Sequence, residues 1–205
     1  MKTKIVTISI LSAMFFLSSC GGSTSTTETK PAEADAAVAN EAAAKPVNIE
    51  TSTWEQTDLS TASNLIPVSL NLPKDAKKEK NANGGVDIRL NDAYLITVSA
   101  MAVSNSKEAL ESVKSLGMSS SMYKNGKAII DEPNGIVYTM QMNDEANGTK
   151  YQPEVHFAYC VEKDGAIYLI QDSRPMDNGF LPGSVYTEEN AKKLFESAKK
   201  SAKAK

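Results

Sequence analysis

Two segments of this chain are apolar on both alternating faces, and this pattern constrains the fold more than any other feature. They run from Tyr94 to Met101 and from Ala166 to Gln171. Successive residues of a β-strand point to opposite faces. One face of the second segment therefore carries Ala166, Tyr168 and Ile170, and the other carries Ile167 and Leu169. A strand that is apolar on both faces needs cover on both sides, so the sequence predicts a sheet between two covering layers.

Strand-like runs recur along the chain and are separated by turn signals. Asn91-Asp92, Pro133-Asn134-Gly135 and Lys163-Asp164-Gly165 each join two runs, and Asn, Asp and Gly accept the positive φ of tight hairpins. We therefore predict a mainly antiparallel sheet of about six or seven strands. The predicted strands are Ile66 to Leu72, Val86 to Leu90, Tyr94 to Met101, Lys127 to Ile130, Ile136 to Met142, Val155 to Glu162 and Ala166 to Gln171.

Two helices interrupt the strands, and each has one apolar stripe. Ser106 is the expected N-cap of the first, in which Leu110, Val113 and Leu116 recur at helical spacing. Thr187 is the expected N-cap of the second, whose apolar positions are Ala191, Leu194, Phe195 and Ala198. The predicted fold class is α+β, with helices packed on the faces of the sheet.

The N-terminus has the features of an export signal. Lys2 and Lys4 precede an apolar run of 13 residues from Ile5 to Leu17. Signal peptides have apolar regions of roughly 7–15 residues, whereas a spanning helix needs about 20. We expect residues 1–19 to be removed.

The run ends in Leu17-Ser18-Ser19-Cys20, which resembles the lipobox of bacterial lipoproteins. This resemblance implies that the Cys20 thiol receives a diacylglyceryl group and that a lipoprotein signal peptidase cuts before it; in this family the new amino group is often acylated as well. Gly21 follows, whereas lipoproteins kept in the inner membrane of enteric bacteria usually carry Asp there. The implied location is the outer membrane of a bacterium with two membranes, and the implied partner is the lipid bilayer.

Residues 20–48 are expected to form a tether. The segment is rich in Gly, Ser, Thr, Ala, Glu and Pro and lacks aromatic residues, so it cannot bury enough apolar surface to fold alone. As a flexible coil it spans on the order of 30 Å.

Residues 49–205 have the usual size of one domain with one core. Without Lys2 and Lys4 the formal net charge changes from −3 to −5, which argues against a nucleic-acid partner. Once Cys20 is acylated, Cys160 is the remaining cysteine, and no intrachain disulfide can form. Packing alone must stabilise the domain.

The order of elements in residues 65–201, together with the segment from Pro67 to Pro73, resembles the PsbP-like fold of a photosystem II subunit and of bacterial DcrB-type lipoproteins. The resemblance implies an accessory or binding module, and it transfers no functional residue.

Candidate chemical groups are few. His156 and Cys160 share a strand face but lie about 13 Å apart at strand rise, so they form neither a catalytic dyad nor a metal site, and each is expected to be a half-buried strand residue. Met140 and Met142 share a face about 7 Å apart, where two thioethers either bind a soft ion such as Cu(I) or fill a core. The C-terminal lysines either contact anionic lipid or cover a solvent-facing helix surface.

Three functions remain open on these grounds. The favoured one is a non-enzymatic accessory or binding lipoprotein that needs no cofactor and whose ligand or envelope partner is unknown. The second is a copper-handling lipoprotein that uses Met140 and Met142. The third is a hydrolase whose carboxylates come from distant segments, and a concave pocket lined by such groups would support it.

Overall fold

The computed structural model of this protein describes residues 48–91, 94–143, 151–173 and 186–205. The expected signal peptide, Cys20 and most of the tether lie outside the described residues. The strands of the described part are β1 (Glu55–Asp58), β2 (Val68–Leu72), β3 (Lys77–Lys80), β4 (Val86–Arg89), β5 (Leu95–Met101), β6 (Tyr123–Glu132), β7 (Gly135–Met142), β8 (Glu154–Lys163), β9 (Ala166–Ser173) and β10 (Lys203–Ala204). Its helices are α1 (Ser106–Met118) and α2 (Glu188–Ser201).

The strands form two antiparallel sheets. Seven strands pair in the order β3-β4-β5-β9-β8-β7-β6, and a smaller sheet has the order β1-β2-β10. The predicted α+β class with a mainly antiparallel sheet is confirmed. The smaller sheet, with its short strands β1 and β10, was not predicted. Strand β3 was also missed, because its sequence Lys-Lys-Glu-Lys has no apolar alternation.

Two of the predicted hairpin turns are present. Pro133 and Asn134 connect β6 to β7, and Asp164 and Gly165 connect β8 to β9. Asp164 has φ 52° and Gly165 has φ 78°, the left-handed conformations that a two-residue turn of this kind requires. Part of the third signal, Asp92, lies outside the described residues, although β4 and β5 do pair antiparallel.

Alternation in the central strands divides the core into two clusters. Val137, Phe157 and Ile170 belong to the larger cluster, which also contains Leu194 and Phe195 of α2 and residues of β2. Neighbouring positions of the same strands, among them Ala158 and Leu169, belong to the second cluster. That second cluster also contains Ala109, Leu110 and Val113 of α1.

The N-caps of the helices differ in how well the sequence located them. Thr187 caps α2 as predicted, because its side chain accepts a hydrogen bond from the amide of Asn190. Asn105, rather than Ser106, caps α1 and accepts from the amide of Glu108. Ser106 is instead the first helical residue, buried, with its hydroxyl donating to Glu162. The cap must have extended backbone, and that conformation falls one residue earlier than predicted.

Leu116 was expected on the buried stripe of α1, but it is 63% exposed. The buried stripe instead passes through Leu110, Val113 and Gly117. Leu116 borders a cavity rather than a packed strand, which explains why an apolar residue there remains uncovered. Within the described part of the chain, neither helix has the length and apolar character needed to cross a bilayer.

Candidate functional site

Strands β8 and β9 stop pairing before either of them ends, and the candidate site lies at this point. The last paired residues are Ala158 and Gln171, yet β8 begins at Glu154 and β9 continues to Ser173. The side chain of Asp172 takes over the role of a backbone acceptor, receiving a hydrogen bond of 3.1 Å from the amide of Phe157. A local interruption of the sheet therefore brings a carboxylate into the protein interior.

Asp172 lies beside the single histidine of the chain, which also contacts a second carboxylate. Nδ1 of His156 is 3.0 Å from Oδ2 of Asp172, and its Nε2 is 3.1 Å from Oε2 of Glu154. The exposed fractions of Glu154, His156 and Asp172 are 8%, 4% and 8%. We call these three residues the acid–histidine trio. His156 is thus fully buried and not half-buried as the sequence suggested.

The geometry of the trio limits its charge. Each contact is a hydrogen bond only if one of its two atoms carries a proton, so the three groups share two protons. Either His156 is a cation between two carboxylates, or it is neutral and one carboxyl group is protonated. Both arrangements give the trio a net charge of −1.

Three tyrosines surround the trio. The ring centroid of His156 is 4.8 Å from that of Tyr186 and 5.9 Å from that of Tyr138, and Tyr94 packs on Tyr186 at 4.9 Å. The Tyr94 hydroxyl donates to Oδ2 of Asp172 at 3.4 Å. Burial, followed by the charge of Asp172, raises the pKa of Tyr94 well above its usual value. This phenol therefore remains a hydrogen-bond donor at any physiological pH.

The trio borders a cavity of about 480 Å³ between α1 and the large sheet. This volume lies within the roughly 300–1,000 Å³ of small-molecule sites. The wall is mainly apolar and no described residue that lines it is Lys or Arg. The lining residues are Ser99, Met101, Ser112, Val113, Leu116, Gly117, Tyr123, Tyr138, Met140, Met142, Glu154, His156, Leu169, Gln171, Asp172 and Ser173.

Tyr138 is a largely buried residue whose hydroxyl faces this cavity. It is 9% exposed, and its ring lies so close to α1 that a Cβ atom on Gly117 would come within 2.5 Å of it. Burial, followed by the negative charge of Asp172, raises the pKa of the Tyr138 phenol. Among the described residues no group hydrogen-bonds to this hydroxyl, in contrast to that of Tyr94.

Three methionines of the described part line the cavity, and they do so at different places. Met140 and Met142 lie together at one end, as their spacing on β7 predicts. Met101 of β5 pairs with Ile167 of β9, which in turn pairs with Glu162 of β8. Met140 of β7 pairs with Glu154, at the other end of β8. Those two positions on β8 are about 26 Å apart at strand rise, so Met101 cannot share an ion with the other two thioethers.

Ligands of other types are not arranged around a metal position. In the described ranges no three His, Cys, Asp or Glu side chains could hold one ion together. The trio illustrates the reason, because His156 stands between its carboxylates and directs its two nitrogens in different directions. Any metal at this site would depend on the thioethers of Met140 and Met142.

Cys160 lies apart from His156, as the strand spacing predicted. It is 1% exposed within the second core cluster, and its thiol donates a weak hydrogen bond to the carbonyl oxygen of Ser106, 3.9 Å from Sγ. Burial, followed by the charge of Glu162, raises the pKa of this thiol to about 12. The thiol is therefore protonated and shielded, which is the opposite of what a nucleophilic cysteine requires.

The C-terminal lysines are largely paired with carboxylates. Lys192 contacts Glu188, Lys193 contacts Glu50 and Glu189, Lys199 contacts Glu132, Lys200 contacts Glu196, and Lys205 contacts Asp58. Their positive charge is thus compensated locally, which favours a solvated helix surface over a lipid-headgroup contact.

Other depressions, along the outer face of α1, are open to solvent and contain no buried polar group.

Sequence reasoning identified His156, Met140 and Met142 but missed the residues that give the site its character. Two signals were available: Asp172 directly follows the doubly apolar segment, and Glu154 shares a strand face with His156. Neither signal shows that the two carboxylates meet at His156.

No protein-family model, curated protein or solved structure matches this chain.

Proposed function

We propose that this chain is a bacterial envelope lipoprotein, anchored through acylated Cys20, whose domain binds a small molecule in the cavity beneath α1. The observation that supports binding is the cavity itself, which combines an apolar wall with a few buried polar groups. This combination is typical of small-molecule sites. The ligand contacts the apolar wall through most of its surface, and the polar groups fix its orientation.

Binding is favoured over catalysis by the state of His156. A general base needs a nitrogen that can accept a proton from a nucleophile or a water molecule. Both nitrogens of His156 already face carboxylate oxygens, and the Cys160 thiol is remote and protonated. The imidazole and the two carboxylates of the site are thus engaged with one another.

The binding proposal can be tested with an apolar fluorescent probe. Residues 21–205 contain every residue whose packing is described, and cooperative thermal unfolding of this lipid-free protein would establish its integrity. We expect N-phenylnaphthylamine to bind with a fluorescence increase. Ser112→Trp, which places a large ring at the cavity wall, should abolish most of this increase. Ser115→Trp is the matched control, since Ser115 lies on the same helix but does not line the cavity.

Equal probe binding by Ser112→Trp and the wild type would show that the probe binds elsewhere. Absence of probe binding to the wild type, at concentrations near the solubility limit of the probe, would count against a binding cavity.

The anchor requires a separate experiment in cells. In a bacterial host, metabolic labelling with a fatty acid should tag the wild-type protein, and Cys20→Ala should take up no label because no thioether can form. Globomycin, which inhibits the lipoprotein signal peptidase, should raise the apparent mass of the wild type by about two kilodaltons, the size of a short signal peptide. An unlabelled wild type, or a labelled variant, would refute lipid attachment at Cys20. Fractionation of the same cells tests the proposed outer-membrane location.

We also propose the finer fold assignment, in which α1 and α2 cover opposite faces of the large sheet in a PsbP-like sandwich. It is supported by the division of the core, because α1 contributes to one cluster and α2 to the other. The same resemblance implies an accessory or binding module, in agreement with the proposed function.

Copper handling is the second candidate, and the position of Met140 and Met142 in the cavity wall supports it. Soft thioether ligands select Cu(I) over harder ions. Titration of residues 21–205 with Cu(I) against a chromogenic chelator should show one bound ion that is lost when both methionines are replaced by Leu. Leu preserves most of the volume of Met, so loss of copper without loss of stability would identify the thioethers as ligands. Equal affinity in both proteins would refute this candidate.

A hydrolase is the third candidate, supported by the presence of Glu154 and Asp172 in one concave pocket. It requires His156 to exchange one of its carboxylate contacts for a substrate or a water molecule. Ester turnover that disappears in Asp172→Asn, without loss of folding, would establish it. Turnover that persists in that variant would indicate a contaminating enzyme.

A further inference from the structure

The Tyr138 hydroxyl differs from the other polar groups of the cavity. The carboxylates and the imidazole of the trio contact one another, whereas this hydroxyl has no hydrogen-bond partner among the described residues. Among the described residues, Oδ1 of Asn143 is the only fully buried side-chain oxygen or nitrogen without a partner, so the Tyr138 oxygen is accessible from the cavity. A water molecule or a ligand in the cavity can therefore accept its hydrogen bond. Phe at this position would keep the ring and its packing but would remove this donor from the cavity wall.

The surroundings of Tyr138 direct its hydroxyl into the cavity. Strand β7 places Tyr138 directly opposite His156, and Gly117 gives the phenol ring room against α1. Val113, Met140 and Leu169 line the cavity beside it. A ligand that contacts the hydroxyl therefore has apolar wall around the rest of its surface.

We propose that the cavity binds an uncharged, mainly apolar molecule whose hydroxyl or carbonyl oxygen accepts a hydrogen bond from Tyr138. This inference rests on the proposed binding function and specifies the class of ligand.

The charge of the described residues around Tyr138 disfavours an anionic group at the same place. The trio carries a net charge of −1, and Asp172 belongs to it. The negative charge of Asp172 also contributes to the raised pKa of the Tyr138 phenol, so a phenolate at this position is disfavoured. A ligand carboxylate or phosphate next to the hydroxyl meets the same repulsion. The phenol keeps its proton and acts as a donor.

The test uses three molecules that share one carbon skeleton. Butylbenzene is apolar, phenylbutanol adds a hydroxyl group, and phenylbutanoate carries a carboxylate. Each is assayed by displacement of N-phenylnaphthylamine from residues 21–205 at neutral pH. The wild type should bind phenylbutanol more tightly than butylbenzene, and phenylbutanoate most weakly of the three.

The variant Tyr138→Phe removes the hydroxyl and keeps the ring. We expect it to bind phenylbutanol about 2- to 10-fold more weakly, the usual effect of one lost hydrogen bond, and to bind butylbenzene unchanged. Its urea midpoint should equal or exceed that of the wild type, because no internal hydrogen bond is lost. Tyr159→Phe is the matched control, since Tyr159 packs on Phe195 in the larger cluster and does not line the cavity.

The outcomes separate this inference from the proposed function. Displacement by all three molecules, with phenylbutanol unaffected by Tyr138→Phe, would overturn the role of the hydroxyl and leave a binding cavity. Binding of phenylbutanoate as tight as that of phenylbutanol would overturn the uncharged class, even if the variant could not be purified. Failure of the probe itself to bind would refute the proposed function.

Discussion

Replacement of Asp172 by Ala is the most informative perturbation of the domain, because this carboxylate links the end of the sheet ladder to the trio. It accepts hydrogen bonds from the amide of Phe157 and the hydroxyl of Tyr94, and it contacts Nδ1 of His156. The Asp172 side chain is 1% exposed, so water cannot replace it without rearrangement. The variant should therefore lose stability and not only ligand binding.

The size of the effect follows from the groups left without partners. Each buried polar group that loses its hydrogen bond costs roughly 1–3 kcal/mol, and breaking a buried charged pair costs roughly 3–5 kcal/mol. The Phe157 amide and one His156 nitrogen lose contacts of 3.1 and 3.0 Å, and these two dominate the estimate; the Tyr94 hydroxyl loses a longer contact of 3.4 Å. We expect a loss of about 4 kcal/mol from a typical total of 5–15 kcal/mol. Asp172→Asn keeps an acceptor for the Phe157 amide and should lose about half as much.

Urea unfolding followed by circular dichroism provides the measurement. With a denaturant dependence of roughly 2 kcal/mol per molar urea, the midpoint of Asp172→Ala should fall by about 2 M. A decrease in unfolding free energy below about 1 kcal/mol would refute the reasoning, because it would mean that water or a rearranged side chain satisfies both groups. An Asn variant less stable than the Ala variant would equally contradict it.

Three further predictions concern other parts of the chain. Cys160, whose pKa is raised to about 12, should react with a thiol reagent at pH 8 only on unfolding, and stoichiometric labelling of the native protein within minutes would contradict its burial. The hydrogen bond from Lys205 lowers the pKa of Asp58 to about 2. The stabilisation that this ion pair gives the folded domain should therefore be complete above pH 4 and lost as the pH falls towards 2. NMR titration of the Asp58 carboxyl group should give the lowered pKa, and Lys205→Met should return it towards 3.8. Deletion of residues 23–46 should leave the thermal midpoint unchanged, and a decrease of several degrees would show that this segment packs on the domain.

Local chemistry made much of the fold predictable. The Asp164-Gly165 turn follows from residues that accept positive φ, and the Thr187 cap follows from a hydroxyl placed before an amphipathic segment. The seven predicted strands are all present, with boundaries shifted by a few residues. The missed strands are short, and β10 forms only because β2 offers it a partner. Pairing of this kind depends on a distant strand and leaves no local signal.

The site was less predictable than the fold. His156 was noticed as the single histidine, and its separation from Cys160 was deduced correctly from strand rise. Its contacts with Glu154 and Asp172 depend on where β8 and β9 stop pairing, which sequence alternation does not reveal. Tyr138 lies within a predicted strand, and nothing in the sequence shows that its hydroxyl faces a cavity.

The sequence by itself determined the properties that depend on neighbouring residues. These are the antiparallel α+β class, the hairpin turns and the face of each strand. The export signal and the acylation of Cys20 remain predictions. The tertiary structure alone decided which side chains meet across long separations: Asp172 with Phe157, His156 between its carboxylates, and Gly117 against Tyr138. Such contacts arise where packing leaves a ladder unpaired or a space unfilled, and these are properties of the assembled core, which no single segment encodes.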